Sequence, residues 1–298
     1  MLSENSQVSI LVTGANGQLA NELKVIATDY FQYHFFFKTK EELPIENANA
    51  LKYFFEKNQI DYCINCAAFT AVDKAESEEE KAFKVNAEGV KNLADICEIH
   101  QTKLVHISTD YVYDGGSNVP LKEDHNTRPL NVYGASKLKG EELALKNNPS
   151  SIVIRTSWVY SSFGNNFVKT MLRLFREKTE INVVADQYGS PTYAADLAKV
   201  IMKFIEDLQS GMKLSGVYNY CNDGVVSWYE FAVAIKSFVN SDCVIYPIAS
   251  SSYQTAAKRP SYSVLDTSKI KEVLHVIIPN WKKSLQKCIT VLNRERFS

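Results

Sequence analysis

A net charge of one sign, long apolar runs, dense cysteine and glycine- or proline-rich tracts are all missing from this 298-residue chain. Lys and Arg total 33 against 34 Asp and Glu, which leaves a net charge of -1 and a pI near 6.5. The positive excess that grips nucleic-acid phosphates or anionic lipid is therefore lacking, and neither nucleic acid nor a membrane is expected as a partner. No run approaches the ~20 apolar residues of a spanning helix. The first ten residues, MLSENSQVSI, have neither the basic start nor the apolar stretch of a signal peptide. Six cysteines are too few for a disulfide scaffold, so a reducing cytoplasm is the expected compartment. Cys63 and Cys66 form a C-x-x-C inside an apolar run. On a strand, residues three apart face opposite sides, and no second pair follows, so both read as structural thiols and no metal site is expected.

What the chain does contain is alternation. Short apolar runs at 8–13, 34–37, 62–67, 103–108 and 151–156 are separated by amphipathic stretches at 18–28, 50–57, 75–100 and 131–146. Strands joined by helices of ten or more residues make right-handed crossovers and a parallel sheet, and their near-continuous hydrophobicity means helices on both faces. The expected fold class is α/β: a Rossmann-type doubly wound parallel sheet with a smaller, partly interleaved α+β lobe. Residues 1–157 are read as the nucleotide-binding domain and 158–298 as the substrate lobe, with strands near 181–185 and 216–221 rejoining the first sheet. The acidic run Glu76-Ser-Glu-Glu-Glu80 reads as a solvated helix face.

Thr13-Gly-Ala-Asn-Gly-Gln-Leu-Ala20 lies between the first strand and the first helix. A glycine turn at that junction lets backbone N–H groups approach a pyrophosphate, and the helix N-terminus adds partial positive charge. The spacing is G-x-x-G-x-x-A. After the second strand, where an acid would grip a ribose 2′-hydroxyl and favour NAD, stand Lys38 and Lys40, which suit the 2′-phosphate of NADPH. NADPH is therefore the expected cofactor, with NADH the alternative.

Tyr133 and Lys137 form a Y-x-x-x-K on an expected helix, one turn apart on one face. A phenol with a pKa of ~10 is a weak acid at neutral pH, and a neighbouring ammonium favours its ionised form. Chance supplies about one such pair in a chain of this composition. The sequence holds two, the other being Tyr53 and Lys57. Context separates them: Tyr133 follows Ile107-Ser-Thr-Asp110 at the carboxyl edge of the expected sheet, where open α/β folds bind ligands. There the Thr109 hydroxyl is placed to polarise a carbonyl, with Ser108 as a helper.

Together, Thr13-Gly-x-x-Gly17, Asn65-Cys-Ala-Ala-Phe-Thr70, Ser108-Thr-Asp-Tyr-Val-Tyr-Asp114 and Tyr133-x-x-x-Lys137 resemble the extended short-chain dehydrogenase/reductase family. The stretches Ala71–Glu76, Pro129–Lys137, Arg155–Tyr160, Gly164–Phe167 and Asp186–Thr192 narrow the resemblance to the branch that reduces the 4-keto group of dTDP-4-dehydro-L-rhamnose. The resemblance implies Tyr133 as proton donor, Lys137 on the nicotinamide ribose and Thr109 on the ketone. It places Gly14, Gly17, Gln18 and Leu19 against the pyrophosphate, and Ala67, Ala68 and Thr70 beside the cofactor. Trp158 matches the family's tryptophan beside the sugar. Asp110, Asn165, Asn166 and Arg259 complete the implied contacts to a dTDP-4-keto-6-deoxy sugar.

Two positions depart from the pattern. Pro44 stands where many relatives carry an Asp, and Ala195 stands where the family's magnesium-bridged dimer would place a carboxylate, although Glu22 matches another ligand position. An identical metal site is therefore not implied, and the expected state is monomer or homodimer. Two other readings share the fold: a non-catalytic regulatory subunit of the methionine adenosyltransferase type, and a nucleotide-sugar epimerase or dehydratase. The intact Thr109, Tyr133 and Lys137 oppose the first. Tyr111 after Asp110, where dehydratases carry a second acid, opposes a dehydratase.

Overall fold

The computed structural model describes residues 7–294. Five strands, β1 (Val8–Thr13), β2 (Tyr33–Lys38), β3 (Tyr62–Asn65), β4 (Lys103–Thr109) and β5 (Ile152–Thr156), form a parallel sheet in the order β2-β1-β3-β4-β5, and Gly216–Asn219 adds a sixth parallel strand beside β5. The sheet is buried on both faces by alternation along each strand. Ile10 and Val12 turn to one side with Ile64, Val105 and Ile154, where α1 (Gln18–Ala27) and the helix Ala194–Gln209 cover them. Leu11, Cys63 and Leu104 turn to the other side, under α2 (Ala48–Lys57) and the helix Val90–Ile99. Strand order reverses at β1 and β3, so the loops leaving their carboxyl ends part and open a crevice.

The expected helix over 75–100 is broken. Short helices Val72–Ala75 and Glu79–Phe83 lead into a π-helical segment, Lys84–Gly89, before the regular helix Val90–Ile99. The wider turn carries Asn86 inward: its amide accepts from the Phe69 N–H at 2.8 Å, and donates to the Phe69 carbonyl and to Ser136 Oγ, both at 3.0 Å. The irregular segment after β3 is thereby clamped to the helix Val132–Asn147.

A third cluster lies beyond the sheet. The helices Phe167–Glu177, Trp228–Phe238 and Trp281–Arg294 pack Val168, Leu172, Phe231, Ile235 and Leu285 against a two-stranded parallel pair, Glu180–Val184 with Val244–Ile248. This corrects one expectation: the strand at 180–184 does not rejoin the main sheet, whereas Gly216–Asn219 pairs with β5. Its burial explains why. Glu180 and Asn182 are exposed while Val183 and Val184 are buried, which suits an edge ribbon against helices and not a central strand covered on both faces.

Candidate active site

Thr13 closes β1, and the next residue must turn back over the sheet. Gly14 does so at φ +65°, and a Cβ there would lie 2.7 Å from the backbone of Ala67, so this crossing of two backbones requires glycine. The Gly17 N–H returns to the Gly14 carbonyl at 2.8 Å, and Gly17 then opens α1 with no side chain capping the helix. The N–H groups of its first turn are thus left facing the crevice, which is what a pyrophosphate needs.

From this turn a cleft of about 790 Å³ runs along the carboxyl edge of the sheet. Gly14, Gly17, Gln18, Leu19 and Lys40 line one end; Ala67, Ala68 and Thr70 follow. Thr109, Asp110, Tyr133, Lys137 and Trp158 line the same cleft, as does Asn165, whose neighbours Gly164 and Asn166 lie against Gln18.

The centre is set by the helix Val132–Asn147. Asn131 caps it, its Oδ1 accepting from the Gly134 N–H at 2.7 Å. A Cβ on Gly134 would stand 2.2 Å from the Tyr111 carbonyl, so glycine lets the helix press onto the turn after β4. Tyr133 and Lys137 then project from successive turns. The Tyr133 ring packs edge-on against Tyr111 with centroids 5.9 Å apart. Burial pushes the Tyr133 phenol up to about 12, with a hydrogen bond to Thr109 acting in the opposite direction. Lys137 is 2% exposed, and its Nζ donates to the Ile107 carbonyl at 2.6 Å and lies 3.3 Å from His106 Nε2. Burial lowers Lys137 to about 8, against the raising effect of Glu141 and Cys66. The acidified phenol expected from the Y-x-x-x-K spacing is therefore not what this arrangement produces. The lysine nitrogen is engaged by β4, and desolvation governs both groups.

Thr109 Oγ1 donates to Asp110 Oδ1 at 3.1 Å, and Asp110, 2% exposed, is raised by burial to about 7. Ser108 Oγ is buried at the cleft with no hydrogen-bond partner among the described residues. Cys66 also lines the cleft and is only partly buried, so of the C-x-x-C pair Cys63 alone is a core thiol.

Three residues expected at the site stand outside its lining. Lys38 ends β2 with its ammonium 5.6 Å from the centroid of the Phe54 ring. Asn166 is a structural cap: its Oδ1 accepts from the Lys169 N–H at 3.1 Å, and its Nδ2 donates to Gln18 Oε1 at 2.8 Å. Arg259 is held by both oxygens of Asp73, at 3.1 and 2.7 Å. Glu22 is buried and accepts from Ser161 Oγ at 2.6 Å, facing inward.

Other residues enter the cleft without having been anticipated. Trp228 stacks on Trp158 with ring centroids 3.5 Å apart and planes 6° from parallel. Trp158 holds a left-handed backbone, φ +47°, and a Cβ on Gly189 would lie 2.6 Å from its ring. The only sequence signal near Trp228 is the capping box of Ser227 and Glu230, which marks a helix start and says nothing of a ligand. Leu43 and Ile45, flanking Pro44, add apolar lining to the cleft.

A doubly wound parallel sheet, a glycine turn on a bare helix N-terminus and a Tyr–Lys pair at the sheet's carboxyl edge together define the extended short-chain dehydrogenase/reductase class. Within it, the chain belongs to the family described as the RmlD substrate binding domain, whose profile matches residues 8–294. It is 38% identical over 284 residues to the dTDP-4-dehydrorhamnose reductase of Aggregatibacter actinomycetemcomitans, covering 93% of this chain and 97% of that one. A dTDP-4-dehydrorhamnose reductase from Clostridium acetobutylicum, solved as a crystal structure, superposes with a TM-score of 0.91 at 38% identity over 96% of this chain and 100% of the other. A second, from Bacillus anthracis in complex with NADP, does so with a TM-score of 0.91 at 38% identity over 96% and 99%.

Proposed function

We propose that this chain reduces the 4-keto group of dTDP-4-dehydro-L-rhamnose to dTDP-L-rhamnose with NADPH. One observation carries the reading: a single cleft joins the phosphate-type glycine turn to Thr109, Tyr133 and Lys137 and ends on a tryptophan wall suited to a sugar. Relatives and solved structures of that name, one of them holding NADP, support it.

The residues fit the cofactor. The α1 N-terminus offers uncapped N–H donors, the crossing at Gly14 leaves no room for a side chain, and the walls at Ala67 and Ala68 are small. Gly14, Gly17, Gln18 and Leu19 would hold the pyrophosphate and Thr70 the neighbouring segment, while Lys40, 70% exposed at the mouth, would face a 2′-phosphate. When bound, the cofactor supplies a hydride equivalent to C4 of the sugar. Tyr133 donates the proton to the C4 oxygen; with its phenol pushed up to about 12, it is fully protonated at neutral pH. Thr109 orients that oxygen by donating its single hydroxyl proton, which must turn from Asp110 Oδ1 to do so. Lys137 holds the cofactor ribose. Trp158 would bound the sugar, and Asn165, in the loop beside Gln18, would reach the diphosphate.

The Tyr–Lys–Thr group lines the cleft, which opposes a purely regulatory role. Incubation of the purified protein with NADPH and dTDP-4-dehydro-L-rhamnose tests the reading. NADPH oxidation with dTDP-L-rhamnose as product is expected; no oxidation, or an epimerised keto sugar with cofactor unchanged, would overturn it.

A further inference from the structure

Behind the cleft a buried hydrogen-bonded chain crosses three strands and ends at Lys137. Thr13 Oγ1 lies 2.7 Å from Asn65 Oδ1, and the Ala67 backbone N–H donates to the same oxygen at 3.1 Å. A backbone N–H can only donate, so the Asn65 oxygen faces Ala67 and its amide nitrogen faces His106 Nδ1, 3.0 Å away. An amide nitrogen donates, which makes Nδ1 an acceptor and leaves the ring proton on Nε2. Nε2 in turn lies 3.3 Å from Lys137 Nζ. An ammonium has three donors and no lone pair, so a ring N–H aimed at it has nothing to bond. A neutral amine accepts that N–H and still donates to the Ile107 carbonyl at 2.6 Å.

We propose that His106 is a positioning residue for Lys137: its ring, locked by Asn65 as the Nε2–H tautomer, offers Nζ a donor in place of an acceptor and so favours its neutral amine over its ammonium. This rests on reading Lys137 as the ribose-holding partner of Tyr133. The surroundings agree. His106 is 0% exposed, and burial together with Lys137 holds its imidazole well below the usual range. Tyr133 and Glu141 share the lysine's helix, Cys66 faces it from the segment after β3, and Asp110 lies beyond Tyr133. Among the described residues Glu141 is the carboxylate that acts most on it, and Arg155 of β5 binds both of its oxygens, at 2.7–3.1 Å. Little negative charge is therefore left to hold an ammonium. Cofactor binding then draws the remaining neutral fraction into the ammonium form, the donor a ribose hydroxyl accepts from.

Nitrogen-15 spectra of histidine-labelled, cofactor-free protein test the lock. One ring, absent from the spectrum of His106→Gln, is expected to show the neutral Nε2–H pattern from about pH 6 to about pH 9 while exposed rings titrate. An Nδ1–H or doubly protonated ring overturns the proposal. The consequence for Lys137 is read from NADPH affinity against pH. In the parent, affinity is expected to fall about tenfold per pH unit above a break near 8. In His106→Gln, whose carbonyl accepts from an ammonium, the break is expected to move up by about one pH unit or more. A merely structural histidine would weaken binding equally at every pH and leave the break in place, which also overturns the proposal. Should His106→Gln fail to fold, Asn65→Asp serves, since its second oxygen accepts from the ring and flips the tautomer; an unflipped ring there counts against the lock. Absence of turnover with the dTDP-keto sugar would remove the reductase reading and leave these ligand-free spectra standing.

Discussion

The end of the cleft proposed for the cofactor is made of backbone, and the end proposed for the sugar is made of aromatic rings. At the first, Gly14, Gly17 and the bare start of α1 present N–H groups, and the residues that do so are adjacent in sequence. At the second, Trp158 follows β5, Gly189 packs against it from a two-residue strand, and Trp228 covers it from the start of another helix. A backbone site tolerates no substitution where chains cross, because the contact is between main chains. A ring site tolerates changes of shape and in return defines what fits. The difference predicts where each kind of damage will register.

The sharpest test lies at the junction of the two ends. Tyr133→Phe keeps the ring and removes the proton, so kcat is expected to fall by ~10²–10⁴ while NADPH affinity holds; stopped turnover with unchanged cofactor titration is the result to look for. On the backbone side, Gly14→Ala sets a methyl 2.7 Å from Ala67 at φ +65°, and NADPH affinity should drop by more than about tenfold, read by fluorescence titration. On the ring side, Trp228→Ala removes one of two stacked indoles; KM for the keto sugar is expected to rise about three- to tenfold with the NADPH constant unmoved. If Trp228→Ala weakened cofactor and sugar alike, the division between the ends would fail. A smaller effect is expected from Lys40→Ala, exposed at the cofactor mouth: a few-fold loss of preference for NADPH over NADH, from paired Michaelis constants.

The smallest concerns stability between the two ends. Folding raises Asp110 to about 7, so its protonated form is the one the native state favours. That contribution is complete below the unfolded value near 4 and is lost as pH rises through about 7. Asp110→Asn keeps an oxygen for Thr109 and cannot ionise. Its Tm should exceed that of the parent by a few degrees at about pH 8 and match it near pH 4, by differential scanning fluorimetry.

The same division explains what could be read in advance. The β1 turn, the Y-x-x-x-K helix and the threonine at the end of β4 announce themselves because the residues that act together are neighbours in the chain. Trp228 did not, since nothing local ties it to Trp158, 70 residues earlier. Asn166 and Arg259 carried side chains suited to a nucleotide but are engaged by Gln18 and Asp73, partners visible only once the chain has folded. Lys137 was placed correctly on its helix, yet the ring its nitrogen meets, His106, sits on β4 and looked like an ordinary strand residue. Spacing reports which groups share a face; it is silent on which of them water can reach.

The sixth strand bears on how the enzyme can move. The chain leaves the sheet after β5, lays down Trp158 and the helix Phe167–Glu177, and comes back as Gly216–Asn219 before departing again. Two excursions from one sheet stitch the tryptophan wall to the glycine side, so any movement of one against the other must bend more than one connection at once, and cutting the gene after residue 157 would strip β5 of its outer neighbour.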